Sequence, residues 1–132
     1  MALLVPNEGE ILLLQYCLNM TAATNPIIHL YKNNVSLAEG SALGSFTEVT
    51  EAGYVPMTLG GTGWTVNPGG GSTAAEFSAQ TFSLTTGATV YGYYVTDGTG
   101  ATVLWAEVFS GGPYTLPTTG GTIVVSPKFG AD

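Results

Sequence analysis

The stretch Ala88–Phe109, ATVYGYYVTDGTGATVLWAEVF, constrains the fold more than any other part of the chain. Two runs of β-branched and aromatic residues flank the turn cluster Thr96-Asp97-Gly98-Thr99-Gly100. Such arms around an Asp-Gly turn are the sequence form of a β-hairpin. Strict alternation puts Val90, Gly92 and Tyr94 on one face of the first arm and Tyr91, Tyr93 and Val95 on the other. In the second arm it sets Leu104, Ala106 and Val108 against Val103, Trp105, Glu107 and Phe109. Both faces of both arms are therefore largely apolar. A hairpin at the edge of a monomer would show a polar face. This one is predicted to be central, covered on both sides by other elements or by another subunit.

The rest of the chain supplies the candidate covers. Met1–Pro6 is an apolar lead, read as extended. Asn7–Met20 reads as a helix, with Asn7 and Glu10 spaced as a capping box and Glu8 and Glu10 in the first turn. Ile11, Leu14 and Leu18 make one apolar stripe, and Leu13, Cys17 and Met20 the next. Leu12 and Tyr16 widen the apolar surface nearly all round, so the helix is predicted to be buried on most faces. After Asn25-Pro26, Ile27–Lys32 reads as a strand with Ile28 and Leu30 inward and His29 and Tyr31 opposite. Ser36–Thr50 is a loop. Tyr54–Leu59 is a strand that Pro56 confines to an edge. Trp64–Val66 is a short strand, and Pro68-Gly69-Gly70-Gly71 a flexible loop. Within Glu76–Thr85 the apolar phase flips near Gln80, implying a bulge or kink between two strands. The last strand, Thr122–Phe129, alternates cleanly.

Short strands separated by turn signals predict a mainly β fold: an antiparallel β-sandwich or barrel of about seven strands with one N-terminal helix. No internal repeat and no linker divides the chain, so residues 1–132 read as one domain, with 1–6 as an N-terminal arm.

Charge narrows the partners. There are nine acids, two lysines (Lys32 and Lys128) and no arginine, a net charge of -7. Neutralising nucleic-acid phosphates takes a basic footprint, which two lysines do not make. Attraction to an anionic membrane fails for the same reason. Charged residues are 8% of the chain against 45% hydrophobic ones. An average soluble domain is roughly 25% charged. A surface so poor in charge predicts permanent assembly. The apolar run Ile11–Met20 is too short to span a bilayer. Glu8 and Glu10 interrupt an N-terminus that also lacks the basic start of a signal peptide, so synthesis in a cytoplasm without export is expected.

Signals for chemistry are sparse. His29 is the sole histidine and sits mid-strand, which favours a structural or surface role over a Ser-His-acid triad. One histidine with Cys17, itself read as a small buried hydrophobe, does not make a zinc site. Glu107 is the best candidate for a glycosidase carboxylate, but no second acid has a comparable setting. A strand glutamate paired with Lys32, Lys128 or a backbone donor is the plainer reading. Gly60-Gly61-Thr62-Gly63 lacks the Lys-Ser/Thr of a phosphate loop, and Asp97-Gly98-Thr99-Gly100 offers one carboxylate where calcium loops carry several. No enzyme activity, metal or cofactor is expected. The aromatic residues remain. Tyr91, Tyr93 and Trp105 on the hairpin, with Tyr54, Trp64 and Tyr114 in or near loops, are expected in the core or at a subunit interface. Met1, Ala2, Leu3, Leu4 and Val5 join them as an arm that orders on binding.

The chain resembles small virion structural proteins of tailed bacteriophages. The resemblance runs from about Ile27 to Phe129. It rests on Gly92-Tyr93-Tyr94-Val95-Thr96-Asp97 followed by Leu104-Trp105-Ala106-Glu107, and on Gly121–Phe129. It implies a β-rich subunit present in many copies on the virion, made in the host cytoplasm. Within that group it implies a capsid decoration (cement) protein. Such a protein binds the major capsid protein on the capsid surface, as a homo-oligomer (trimer or dimer). A tail- or neck-associated component or a host-glycan-binding module is the alternative. The resemblance carries over no functional residue.

Overall fold

A computed structural model describes residues 3–68 and 73–131. Met1 and Ala2 of the expected arm, and Gly69–Gly71 of the expected flexible loop, lie outside the described residues. The chain forms α1 (Asn7–Cys17), β1 (Ile27–Tyr31), β2 (Met57–Thr58), β3 (Trp64–Pro68), β4 (Thr73–Phe77), β5 (Gln80–Leu84), β6 (Thr89–Val90), β7 (Gly92–Thr96), β8 (Val103–Val108), β9 (Tyr114–Thr115), β10 (Gly121–Val125) and β11 (Lys128–Ala131). All strand pairings are antiparallel. The main sheet runs β2-β1-β7-β8; β10-β5, β11-β4-β3 and β6-β9 form smaller sheets. The arrangement is sandwich-like and does not close into a barrel. As Pro56 predicts, β2 lies at an edge.

Strand β7 lies inside the main sheet and β8 at its edge, and the hairpin they form is buried on both faces. Every residue of β7 is buried, and so are the first four of β8. One face packs Tyr93, Val95, Leu104 and Trp105 with Ile28 and Leu30 of β1, Phe82 and Leu84 of β5, and Ile123 and Val125 of β10. The other face packs Tyr94, Val103 and Ala106 with Tyr31 and Phe46, under Val35, Leu37 and Tyr91. The Ser36–Thr50 loop is thus a second cover. It is tied to β1 by Lys32 N–H to the Thr47 carbonyl (2.8 Å) and Val49 N–H to the Leu30 carbonyl (3.0 Å). Both covers of the hairpin come from the same chain.

Strict alternation along the hairpin breaks in two places. Val90 belongs to β6 and faces the larger core with Tyr93 and Val95, so the phase flips at Tyr91. In β8 the register skips Leu104: Val95 pairs with Trp105 and Thr96 with Val103. This bulge turns Leu104 and Trp105 to the same core. The phase flip near Gln80 is the break between β4 and β5, which enter different sheets.

Helix α1 departs from its expected form. Pro6 occupies the N-cap and no side chain caps it, so the Asn7–Glu10 capping box does not form. The Glu8 carboxylate instead accepts the Val103 N–H at 2.8 Å. The helix stops three residues short of Met20 because Asn19 turns left-handed (φ 55). Its N–H donates to the Tyr16 carbonyl and that of Met20 to Gln15, a Schellman closure. Leu12 and Leu13 pack on the core, but Ile11, Leu14 and Cys17 are exposed. The expectations of a helix buried on most faces, and of a buried Cys17, are therefore corrected.

Gly9 is what lets α1 lie on β8. A Cβ there would stand 2.5 Å from the Leu104 carbonyl oxygen and 2.6 Å from that of Val103. By helix propensity alone Gly9→Ala would stabilise by ~1 kcal/mol. Here it is expected to destabilise by about 1–3 kcal/mol, because the helix must lift from the strand. Urea denaturation of the two proteins decides the sign.

Candidate functional site

Polar groups at the hairpin and its neighbours form three clusters. The first centres on His29. Its Nδ1 lies 2.8 Å from Glu48 Oε1 and its Nε2 3.1 Å from Thr96 Oγ1. A carboxylate only accepts, so Nδ1 donates. Tyr54 donates its hydroxyl to the same Glu48 oxygen at 2.8 Å and accepts the Leu30 N–H at 3.0 Å. Tyr94 is stacked between His29 and Phe46, each with ring centroids 4.7 Å away. Hydroxyl, imidazole and carboxylate stand in the order of a hydrolytic triad. Thr96, however, is 0% exposed, so its oxygen meets no substrate in this conformation. What the cluster does is fasten the loop carrying Glu48 to β1 and β7. Burial, first, and the Glu48 charge push the Tyr94 phenol up, and burial dominates the raised Tyr54 phenol as well.

The second cluster surrounds Glu107. The pairing expected with Lys32 or Lys128 is not formed: Lys32 binds Glu51 (3.1 Å) and Lys128 binds Glu76 (3.1 Å). Glu107 instead accepts the hydroxyl of Tyr93, its cross-strand partner, at 2.7 Å. Cross-strand geometry decided the partner, since the two Cβ atoms of such a pair sit within side-chain reach. Tyr31 donates to the Glu107 carbonyl at 3.3 Å, and burial followed by that acid's charge raises its phenol to about 12. Gly92 leaves room for this contact, because a Cβ there would fall on the Glu107 carbonyl and the Tyr31 hydroxyl.

The third cluster is the hairpin turn. Asp97 accepts from Thr99 N–H (3.2 Å), Thr99 Oγ1 (2.5 Å), Ala101 N–H (3.1 Å) and Thr102 N–H (3.0 Å). Its carboxylate organises the turn. Among the described residues, no group of three or more His, Cys, Asp or Glu is placed to hold a metal ion. No helix among them is long and apolar enough to cross a membrane.

The candidate interface residues are scattered across these settings. Tyr93 and Trp105 are 3% and 4% exposed and belong to the core. Tyr91 is half-buried over the smaller core, and Tyr54 is half-buried on Phe82. Trp64 is half-buried edge-on to Phe77 and Trp105, and its indole N–H donates to the Leu59 carbonyl at 3.4 Å. Tyr114 is exposed, with its ring on Phe109 and its hydroxyl on the Ser110 carbonyl. Leu3 and Val5 pack on this chain's own core, and Leu4 exchanges two backbone hydrogen bonds with Ala106 (2.9 and 2.8 Å). The described part of the arm is thus docked along β8.

Among the described residues, exposed apolar side chains also gather at α1, away from the aromatic candidates. Ile11 and Leu14 on α1, with Leu18 and Met20 just past its end, stand 59–69% exposed. Their spacing was visible in the sequence, but an all-round apolar helix does not say which face is left uncovered. Compared with known proteins, the chain matches no family model, no curated protein and no solved structure.

Burial opposes ionisation of Asp97, yet the Thr99 hydroxyl and the three backbone donors outweigh it and hold the carboxyl below its ordinary 3.8. A depressed folded value stabilises fully above the ordinary one, and the contribution is lost as pH falls through the folded value. Asp97→Asn is expected to cost about 1–3 kcal/mol at neutral pH. It should also flatten the acid limb of the stability curve below pH 3.8, measured by denaturation across a pH series.

Proposed function

We propose that the chain is a structural protein of a tailed-bacteriophage virion, a decoration subunit that binds the major capsid protein shell and stabilises the head. One observation carries the reading. Ile11 and Leu14 of α1 and Leu18 at its end stand in solvent on a chain with 8% charged residues, while the polar clusters are bonded within the fold. Large uncovered apolar surface marks a place for a protein partner. The resemblance of the hairpin and C-terminal patterns to small virion proteins supports a place on the virion, and head decoration is the role proposed within it.

The mechanism is burial of apolar surface, between copies and against the shell. At ~25 cal/mol per Å2, even a modest contact is significant when linked copies bind a repeating lattice. A host-glycan-binding role is the second reading, favoured by exposed Tyr114 beside Thr115, Thr122 and Val124 around one shallow hollow.

Purified protein mixed with expanded, undecorated phage heads is expected to co-sediment saturably, at a fixed ratio to the capsid subunit. Protein that stays in the supernatant at every ratio contradicts head decoration. Binding on a glycan array that disappears in Tyr114→Ala would then favour the second reading.

A further inference from the structure

We propose that α1 is a self-association surface: two copies pair their helices antiparallel across a two-fold axis. Ile11, Leu14 and the C-cap Leu18, spaced three and four apart, form a ridge on the solvent side of α1, 59%, 62% and 68% exposed. The opposite side of the helix lies on β8, through buried Gly9 and the Glu8 carboxylate on the Val103 N–H. Beside the ridge runs an open groove of about 490 Å3, lined by Val5, Glu10, Leu13, Leu14 and Phe129. Leu14 belongs to both ridge and groove. One patch therefore carries knob and hole together, which is what an isologous contact needs.

Self-complementary shape and charge select a second copy as the occupant. Taking ~200 Å2 per fully exposed large side chain, the three ridge residues offer roughly 400 Å2, below the ~800 Å2 per partner of a standard interface, which makes the pairing weak and reversible. Val5, Leu13 and Phe129 along the groove add to it. An interfacial membrane helix would need lysine or arginine beside its apolar face. Helix α1 has none, and its first turn carries Glu8 and Glu10. Parallel pairing would set the Glu10 carboxylates of both copies together. Antiparallel pairing moves the two Glu10 carboxylates to opposite ends of the contact and opposes the two helix dipoles.

The inference extends the assembly reading above and stands without the virion. Sedimentation equilibrium of the full chain should show a reversible species of twice the 13.6 kDa chain mass. Leu14→Glu should weaken it at least ~100-fold with unchanged circular dichroism, because Leu14 is exposed in the single chain. A second variant keeps the test independent of that one's folding. Leu14→Cys in a Cys17→Ser background should form an intermolecular disulfide near the axis, and Glu10→Cys in the same background should not. A monomer at every concentration, a trimer, dimers unaffected by Leu14→Glu, or cross-linking through Glu10→Cys would each overturn the pairing. Head binding by a chain that stays monomeric would overturn the pairing alone and leave the decoration reading standing.

Discussion

Burial of β7 on both faces is the constraint on which the structure depends. A strand in that position must be paired on both edges and covered twice. Strands β1 and β8 pair it, the β5–β10 sheet covers one face, and the Ser36–Thr50 loop covers the other. Each cover has a cost in backbone order, which a small domain meets by burying most of its apolar side chains. Covering a second face with a loop needs fasteners, because a loop has no ladder of its own. The Glu48–His29–Thr96 chain, the Tyr54 bond to Glu48 and the stacked Tyr94 supply them. The residues that most resemble catalytic groups thus have a structural task in this fold.

The same logic leaves α1 half-used. Strand β8 is the edge of the main sheet, and an open edge invites pairing with other chains. Leu4 bonds to Ala106, and Glu8 takes the Val103 N–H, so the N-terminal segment and helix blunt that edge. To lie so close the helix turns Gly9 inward, which sends Ile11, Leu14 and Leu18 outward. The exposed ridge is a geometric consequence of how the edge is protected. We propose assembly as the use made of it.

Much of this fold was legible in the sequence. The hairpin, the opposite faces of β1, the break at β4–β5 and the edge position near Pro56 all follow from alternation and turn chemistry. The Leu104 bulge did not, since an apolar run such as Val103-Leu104-Trp105 reads the same in either register. Nor did the core positions of Tyr93 and Trp105, because aromatic composition is shared by cores and interfaces. The partner of Glu107 was hidden because its choice depended on cross-strand register rather than on which cations the chain contains. The candidate surface was the least legible part. An all-round apolar helix signals more than one contact, but only the docking of Gly9 shows which face remains.

Hydrogen–deuterium exchange of the full chain at low and high protein concentration tests the central claim most directly. Gly92–Thr96 and Val103–Val108 are expected to exchange slowest at both concentrations, and peptides covering Asn7–Met20 to slow further as concentration rises. Concentration-independent exchange in α1, with new protection appearing elsewhere or nowhere, would contradict it.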